Sequence, residues 1–236
     1  MYSWRARIGM LLPSSNAACE PQIQKMLPDG VTFHTTRLRL LDSSEESVRG
    51  MTERLEEGAS LLADAGVDLI VFHCTAVTMY RPGMDDEIIA RITKATGKPA
   101  TATSKAVLEA FKALGVRRVV LTTPYNQSTN DREVAFLESH QIKVLSERGY
   151  DVPSKDGGMM KVDPGDWYRR VSAQKDDTTD AYFVSCTAIR SAEVIEPIER
   201  DFGKPVVTSN QAMVWHALRK TGVKEPVAGY GRLFAA

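Results

Sequence analysis

The chain is poor in cysteine, has no excess of charge of either sign and contains no long apolar run, and each shortage removes a class of function. Three cysteines in 236 residues are too few for a disulfide framework, and no two stand at C-x-x-C spacing. The four histidines, at positions 34, 73, 140 and 216, form no metal-ligand pattern, and no metal is expected. Thirty basic residues balance thirty acidic ones. No long-range field draws the chain to nucleic acid or to an anionic membrane, so attraction for an anion has to be local. No window approaches the roughly 20 apolar residues of a membrane span. Residues 1–7 run straight into a strand-like segment without the apolar stretch or small-residue cleavage site of a signal peptide, and a cytoplasmic protein is expected. Neither GxGxxG nor a Walker-type glycine loop occurs, and no cofactor is expected.

What is present is ordinary in bulk and informative in pattern. Hydrophobic residues make up 43% and charged residues 25%, the balance of a globular protein. Short apolar runs predict strands at Ile8–Leu12, Thr32–Leu40, Leu69–His73, Val119–Thr122, Lys143–Glu147, Ala181–Ser185 and Val206–Thr208, with a further short one at Ala100–Ala102. Their Val, Ile and Leu content suits strands buried on both faces of a parallel sheet. Helical periodicity fills the gaps. Ser104–Leu114 carries Val107, Ala110, Phe111 and Leu114 on one stripe, and Glu45–Ala65 and Met84–Ala95 read similarly. Asp163-Pro164-Gly165-Asp166 has the cap, proline and acidic residue of a helix start, and Ser128-x-x-Asp131 is a weaker one. Alternating strands and helices predict an α/β fold.

The chain also repeats itself. Asp68, an apolar run and Cys74-Thr75-Ala76 recur as Asp180, an apolar run and Cys186-Thr187-Ala188, at an offset of 112. Gly97-Lys98-Pro99 is echoed by Gly203-Lys204-Pro205, and the strand ending at Pro13 by the strand ending at Pro124. Landmarks in the same order at similar offsets imply two similar lobes, 1–115 and 116–236, each with a parallel sheet of about four strands. They are related by a pseudo-twofold with the site between them, and the C-terminal tail is a candidate to pack back on the first lobe.

Ligands of open α/β sheets bind beyond the carboxyl ends of the strands. Cys74 and Cys186 both follow an apolar strand there, so two such lobes closing on each other would present two thiols to one ligand. The thiolate is the reactive form, and backbone N–H groups in the turns that follow favour it. The same N–H groups, at Thr75-Ala76 and Thr187-Ala188, with the two threonine hydroxyls, are candidates to hold a carboxylate without any basic residue. Ser14 and Asn16 follow the first strand and Tyr125 follows its counterpart; each brings hydrogen-bonding groups to the same crevice. By strand alternation His73 faces away from Cys74 and is read as structural. Cys19 is read as packing, Asp68 and Asp180 as turn caps at the opposite strand ends, and Thr103, Ser104, Ser209 and Asn210 as helix-cap candidates.

Ile8–Asn16, His73–Ala76, Thr123–Asn126, Ser185–Ala188 and Pro205–Ala212 together resemble the maleate cis-trans isomerases, and the tail Gly229–Phe234 resembles that of the arylmalonate decarboxylases; both belong to the aspartate/glutamate racemase superfamily. The resemblance spans nearly the whole chain. It implies that Cys74 adds to the double bond of a cis-diacid, that Cys186 handles a proton from the other lobe, and that Asn16 and Tyr125 hold carboxylates. In the racemases the two thiols work as base and acid on opposite faces of one carbon; in the decarboxylases glycine stands in place of the first cysteine. One departure matters: near Asp156-Gly157-Gly158 a glycine stands where the isomerases carry asparagine, which implies an acid different from, or bulkier than, maleate. The expected partner is a small carboxylic or dicarboxylic acid. Racemisation, decarboxylation and non-catalytic acid binding remain as alternatives, and the sequence leaves assembly into a homo-oligomer open.

Overall fold

The computed structural model describes residues 2–42 and 44–236, the side chain of Asp156 excepted. Its strands are β1 (Ala6–Pro13), β2 (Val31–Leu38), β3 (Leu69–Phe72), β4 (Ala100–Ala102), β5 (Arg118–Thr123), β6 (Lys143–Gly149), β7 (Ala181–Val184) and β8 (Val206–Thr208). They form two four-stranded parallel sheets, β2-β1-β3-β4 and β6-β5-β7-β8. The second order is the first shifted by four strands, which is the repeat seen in the sequence. Even the turn caps repeat: Asp68 accepts the Arg7 N–H and Asp180 the Arg118 N–H, each at 2.8 Å.

Parallel neighbours need crossover connections, and helices supply them. The helices are α1 (Cys19–Met26), α2 (Glu45–Glu53), α3 (Leu55–Asp64), α4 (Thr75–Thr78), α5 (Met84–Thr96), α6 (Thr103–Ala113), α7 (Gln127–Ser139), α8 (Gly158–Lys161), α9 (Pro164–Ser172), α10 (Ile195–Phe202) and α11 (Ser209–Lys220). Strand alternation divides each sheet between an outer and an inner core. Ile70 and Phe72 of β3 join Leu55, Ala59, Ile88 and Ile92 on the outside of the first sheet. Val120, Tyr182 and Val184 join Trp167, Val171 and Ile198 outside the second. The inner faces share one core: Ile8, Met10 and Val71 from one sheet and Val119, Leu121 and Phe183 from the other close around Ala106, Ala110, Phe111, Val214, Ala217 and Leu218. The equivalent helices α6 and α11 pack against each other at this junction. Because these apolar side chains are common to both sheets, parting the halves would expose a large part of the core.

Several element ends differ from the sequence expectation. The first-sheet edge strand stops at Leu38, not Leu40, because the Leu40 backbone is held instead by the Ser14 and Ser15 hydroxyls. The stretch Glu45–Ala65 is two helices broken at Arg54. Helix α7 begins ahead of Ser128, where the Asn126 side chain accepts the Thr129 N–H at 3.0 Å. Helix α9 starts as expected, with Asp163 as cap and Pro164 in the first turn. The tail ends in a short 3-10 turn, Arg232–Ala235, beside α11 and β8. Gln211 donates to the Tyr230 carbonyl at 2.7 Å, and Arg5 near the N-terminus pairs with Glu225. No helix of the described residues is long and apolar enough to cross a membrane.

Candidate active site

The carboxyl ends of β1, β3, β5 and β7 converge on one cavity of about 240 Å³. Cys74 and Cys186 both line it, one from each sheet, together with Asn16, Ala76, Tyr125, Thr187 and Ala188. The two thiols are 4% exposed. The mouth is roofed by Leu40–Asp42 from one half and Asp151–Ser154 from the other, joined where the Ser154 hydroxyl donates to the Leu41 carbonyl at 2.8 Å. No lysine or arginine is among the lining residues, and Asp42 and Asp151 are. Among the described residues no cluster of three His, Cys, Asp or Glu side chains could hold a metal ion.

The two cysteines are set differently. Cys74 has an ordinary extended backbone, φ −153°, and precedes α4 directly. The N–H groups of Val77 and Ala76 favour its thiolate, but burial acts more strongly and pushes the thiol up to about 12. Cys186 has φ +129°, a region that side-chain-bearing residues rarely occupy. Its Sγ accepts the Ala188 N–H at 3.3 Å and lies 3.9 Å from the Met159 sulfur. Burial pushes this thiol up to about 11, opposed by the Tyr125 hydroxyl and the Ala188 N–H. Both cysteines are therefore thiols at neutral pH in this structure. The turn N–H groups expected from the sequence are present, and desolvation outweighs them.

A dense hydrogen-bond belt ties the two halves together beneath the cavity. Asn16 donates to the Thr187 hydroxyl at 3.0 Å while its carbonyl oxygen accepts the Ala18 and Cys19 N–H groups. Thr75 donates to the Ser209 hydroxyl at 2.9 Å, and Ser209 also accepts the Cys186 N–H at 3.1 Å. His73 is fully buried with one ring nitrogen 2.9 Å from Thr103 and the other 2.9 Å from Asn210 of the opposite half. Burial holds it down at about 4, so it is neutral and occupied, and it points away from Cys74 as alternation requires. Asn210 donates in turn to the Thr187 carbonyl at 3.2 Å.

Of the residues singled out in the sequence, Thr75 lies in this belt and Ser14 in the roof, where its hydroxyl accepts the Leu40 N–H at 3.2 Å; neither lines the cavity. Ser15 does. Ser209 and Asn210 are not the caps of α11: Thr208 is, in a capping box with Gln211. Thr103 and Ser104 are not caps of α6 either, since Ser104 donates to the buried Asp85 at 2.8 Å. Cys19 is fully buried, as packing requires. Sequence reasoning missed the roof loops and Met159. Met159 takes up wall space next to Gly157 and Gly158. Gly158 admits no side chain, because an added Cβ would stand 2.4 Å from the Pro153 carbonyl oxygen.

Two parallel sheets with a cysteine from each at a shared cavity define a two-lobed α/β protein of the maleate isomerase and arylmalonate decarboxylase group. The model of the family described as arylmalonate decarboxylase matches residues 8–234, and the chain belongs to that family. It is 30% identical to the maleate isomerase of Nocardia farcinica, over 96% of this chain and 94% of that one. It is also 30% identical to the arylmalonate decarboxylase of Bordetella bronchiseptica, over 96% and 95%. Among solved structures, a mutant Nocardia farcinica maleate cis-trans isomerase with a covalently bound succinylcysteine intermediate superposes with a TM-score of 0.90 at 25% identity, over 97% of this chain and 98% of that one.

Proposed function

We propose that the chain is an isomerase that interconverts the cis and trans forms of a small unsaturated, maleate-like diacid, with Cys74 as nucleophile and Cys186 as proton donor and acceptor. The observation that carries this reading is the pair of cysteines, one from each sheet, on a single cavity. The covalent succinylcysteine in the Nocardia relative supports thiol addition as the route.

In this scheme the diacid binds with its double bond between the two sulfurs. Cys74 passes its proton to a carboxylate of the bound diacid and its sulfur bonds to one alkene carbon; the π electrons move toward the neighbouring carbon and its carboxylate. That carbon takes a proton from Cys186, leaving a saturated thioether. The former double bond is now single and rotates. Cys186 then removes the proton, the C–S bond breaks, the carboxyl proton returns to the Cys74 sulfur, and the trans diacid departs. No electrons are gained or lost overall. Asn16 and Tyr125, with the N–H groups around Ala76 and Ala188, are assigned to the carboxylates. The cavity supports a substrate bulkier than maleate: its wall includes Leu40, Val152, Pro153 and Met159, and glycine stands where the isomerases have an amide.

The test is NMR of the protein in D2O with a panel of unsaturated diacids and 2-substituted acids. A new geometric isomer supports the proposal. Deuterium at the alpha carbon of an unchanged acid would make it a racemase, and loss of carbon dioxide from a substituted malonate a decarboxylase.

A further inference from the structure

One buried titratable group plays no part in the scheme above. Glu133, on α7, is 2% exposed, and neither carboxyl oxygen has a hydrogen-bond partner. An ionised carboxylate left so would cost several kcal/mol, and native interiors rarely tolerate it. Charged residues of its own helix and of the adjacent β6 are engaged elsewhere. On its own helix, Arg132 stacks on the Tyr80 ring at 4.2 Å, and Asp131 is engaged by Gln127. From β6, Glu147 accepts from Gln127 and Asn130. From the end of β7, Ser185 faces it: this hydroxyl is near enough to favour ionisation of Glu133, yet it too is buried without a partner in hydrogen-bonding geometry. Ser185 is the residue before Cys186, and Tyr125 precedes the cap of α7. The unpartnered carboxyl therefore sits directly behind the Cys186 half of the cavity.

We propose that Glu133 is a positioning residue that strengthens the hold of Cys186 on its proton. The physical basis is like-charge coupling across a dry interior. Burial pushes Glu133 up to about 7, so its charge appears as the pH rises through neutrality. Once present, that charge raises both the Cys186 thiol and the Tyr125 hydroxyl. By reciprocity, a Cys186 that has given up its proton makes Glu133 hold its own more tightly. The role of Glu133 in turnover rests on the reaction proposed above; its effect on the thiol does not.

The test uses the intact chain and no substrate. Cys186 alkylation by iodoacetamide is followed by peptide mass spectrometry from pH 6 to 9.5 in wild type and Glu133→Gln. At pH 6, where the wild-type carboxyl is protonated, the two rates should agree. Above pH 8 the variant should react faster, by about tenfold for each pKa unit that the Glu133 charge adds to the thiol. Glu133→Asp should restore a pH-dependent rate. A merely structural role would change the rate by the same factor at every pH, and that result, or no change at all, would overturn the proposal. If Glu133→Gln does not fold, wild type decides alone: the logarithm of the Cys186 rate should rise with less than unit slope across neutrality, and a straight line of unit slope would contradict it. Failure here leaves isomerisation untouched, and absence of isomerisation leaves this test standing.

Discussion

Cys74 and Cys186 occupy the same Cys-Thr-Ala sequence and two different backbones. After Cys74 the chain winds into α4; after Cys186 it makes turns, and no helix of either kind begins until Ala192. Cys74 sits in relaxed extended geometry, whereas Cys186 is held at φ +129° by its neighbours. Ser209 accepts the Cys186 N–H, Met159 lies beside the Cys186 sulfur, and the Tyr125 hydroxyl favours its thiolate. A duplicated motif has thus been placed in two environments, which the proposed scheme uses for a nucleophile at Cys74 and a proton carrier at Cys186. The difference lies in backbone and neighbours. Resting proton affinity does not favour the assignment, since burial raises Cys74 to about 12 and Cys186 to about 11.

The sharpest way to break this comparison is to exchange each sulfur for oxygen. Cys74→Ser should lower turnover by about a thousandfold or more, because a hydroxyl is hardly ionised at neutral pH. Cys186→Ser should be severe but smaller wherever water shares the protonation. Turnover and face-selective deuterium exchange of both variants check this. Equal losses, with exchange surviving on opposite faces, would instead fit a two-base racemase.

The belt beneath the thiols gives the next largest effect. Asn210→Ala leaves one nitrogen of the buried His73 without its partner and should cost about 1–3 kcal/mol in chemical denaturation. His73 and His216 are both held down at about 4. As pH falls from about 6.5 towards 4, the unfolded chain takes protons that the folded one refuses. Stability should then fall by up to about 1.4 kcal/mol per pH unit for each histidine. Glu133 works in the opposite sense, losing stability as pH rises from about 4.5 to 7. Denaturation of wild type, Asn210→Ala and Glu133→Gln across pH 4–8 separates these contributions.

Backbone strain predicts a smaller difference. Cys186→Gly relieves a conformation that glycine adopts freely, whereas Cys74→Gly loosens a relaxed strand end. The first variant should be the more stable by about 1–3 kcal/mol, and equal melting temperatures would remove the strain from the account. Smallest of all is the salt effect. With no lysine or arginine lining the cavity, the Kd of a dicarboxylate should change less than about threefold between 50 and 200 mM salt.

Much of this architecture was legible in the sequence because its signals are local. All the predicted strands are present, within a few residues; the central ones carry their own apolar runs and are buried on both faces, whereas the edge strands β2 and β6 are half-exposed. Alternation alone set His73 opposite to Cys74. Other features depend on contacts distant in sequence. The break at Arg54 was invisible because Val48, Met51, Leu55, Ala59 and Leu62 keep one helical stripe through it, and all five are buried. Ser209 and Asn210 look like caps, and only the packing of α6 on α11 turns them toward the first half. The roof loops carry no pattern of their own; Ser154 meets Leu41 only once both lobes are in place. Glu133 looks like any helix-surface acid, and only the folded chain buries it.

The central claim is that Cys74 forms a covalent bond to the substrate and Cys186 does not. It is tested by incubating Cys186→Ser and Cys74→Ser separately with unsaturated diacids and mapping adducts by peptide mass spectrometry. A thioether of intact diacid mass on Cys74 in the first variant, with none on Cys186 in the second, is the predicted result. An adduct confined to Cys186 would contradict it.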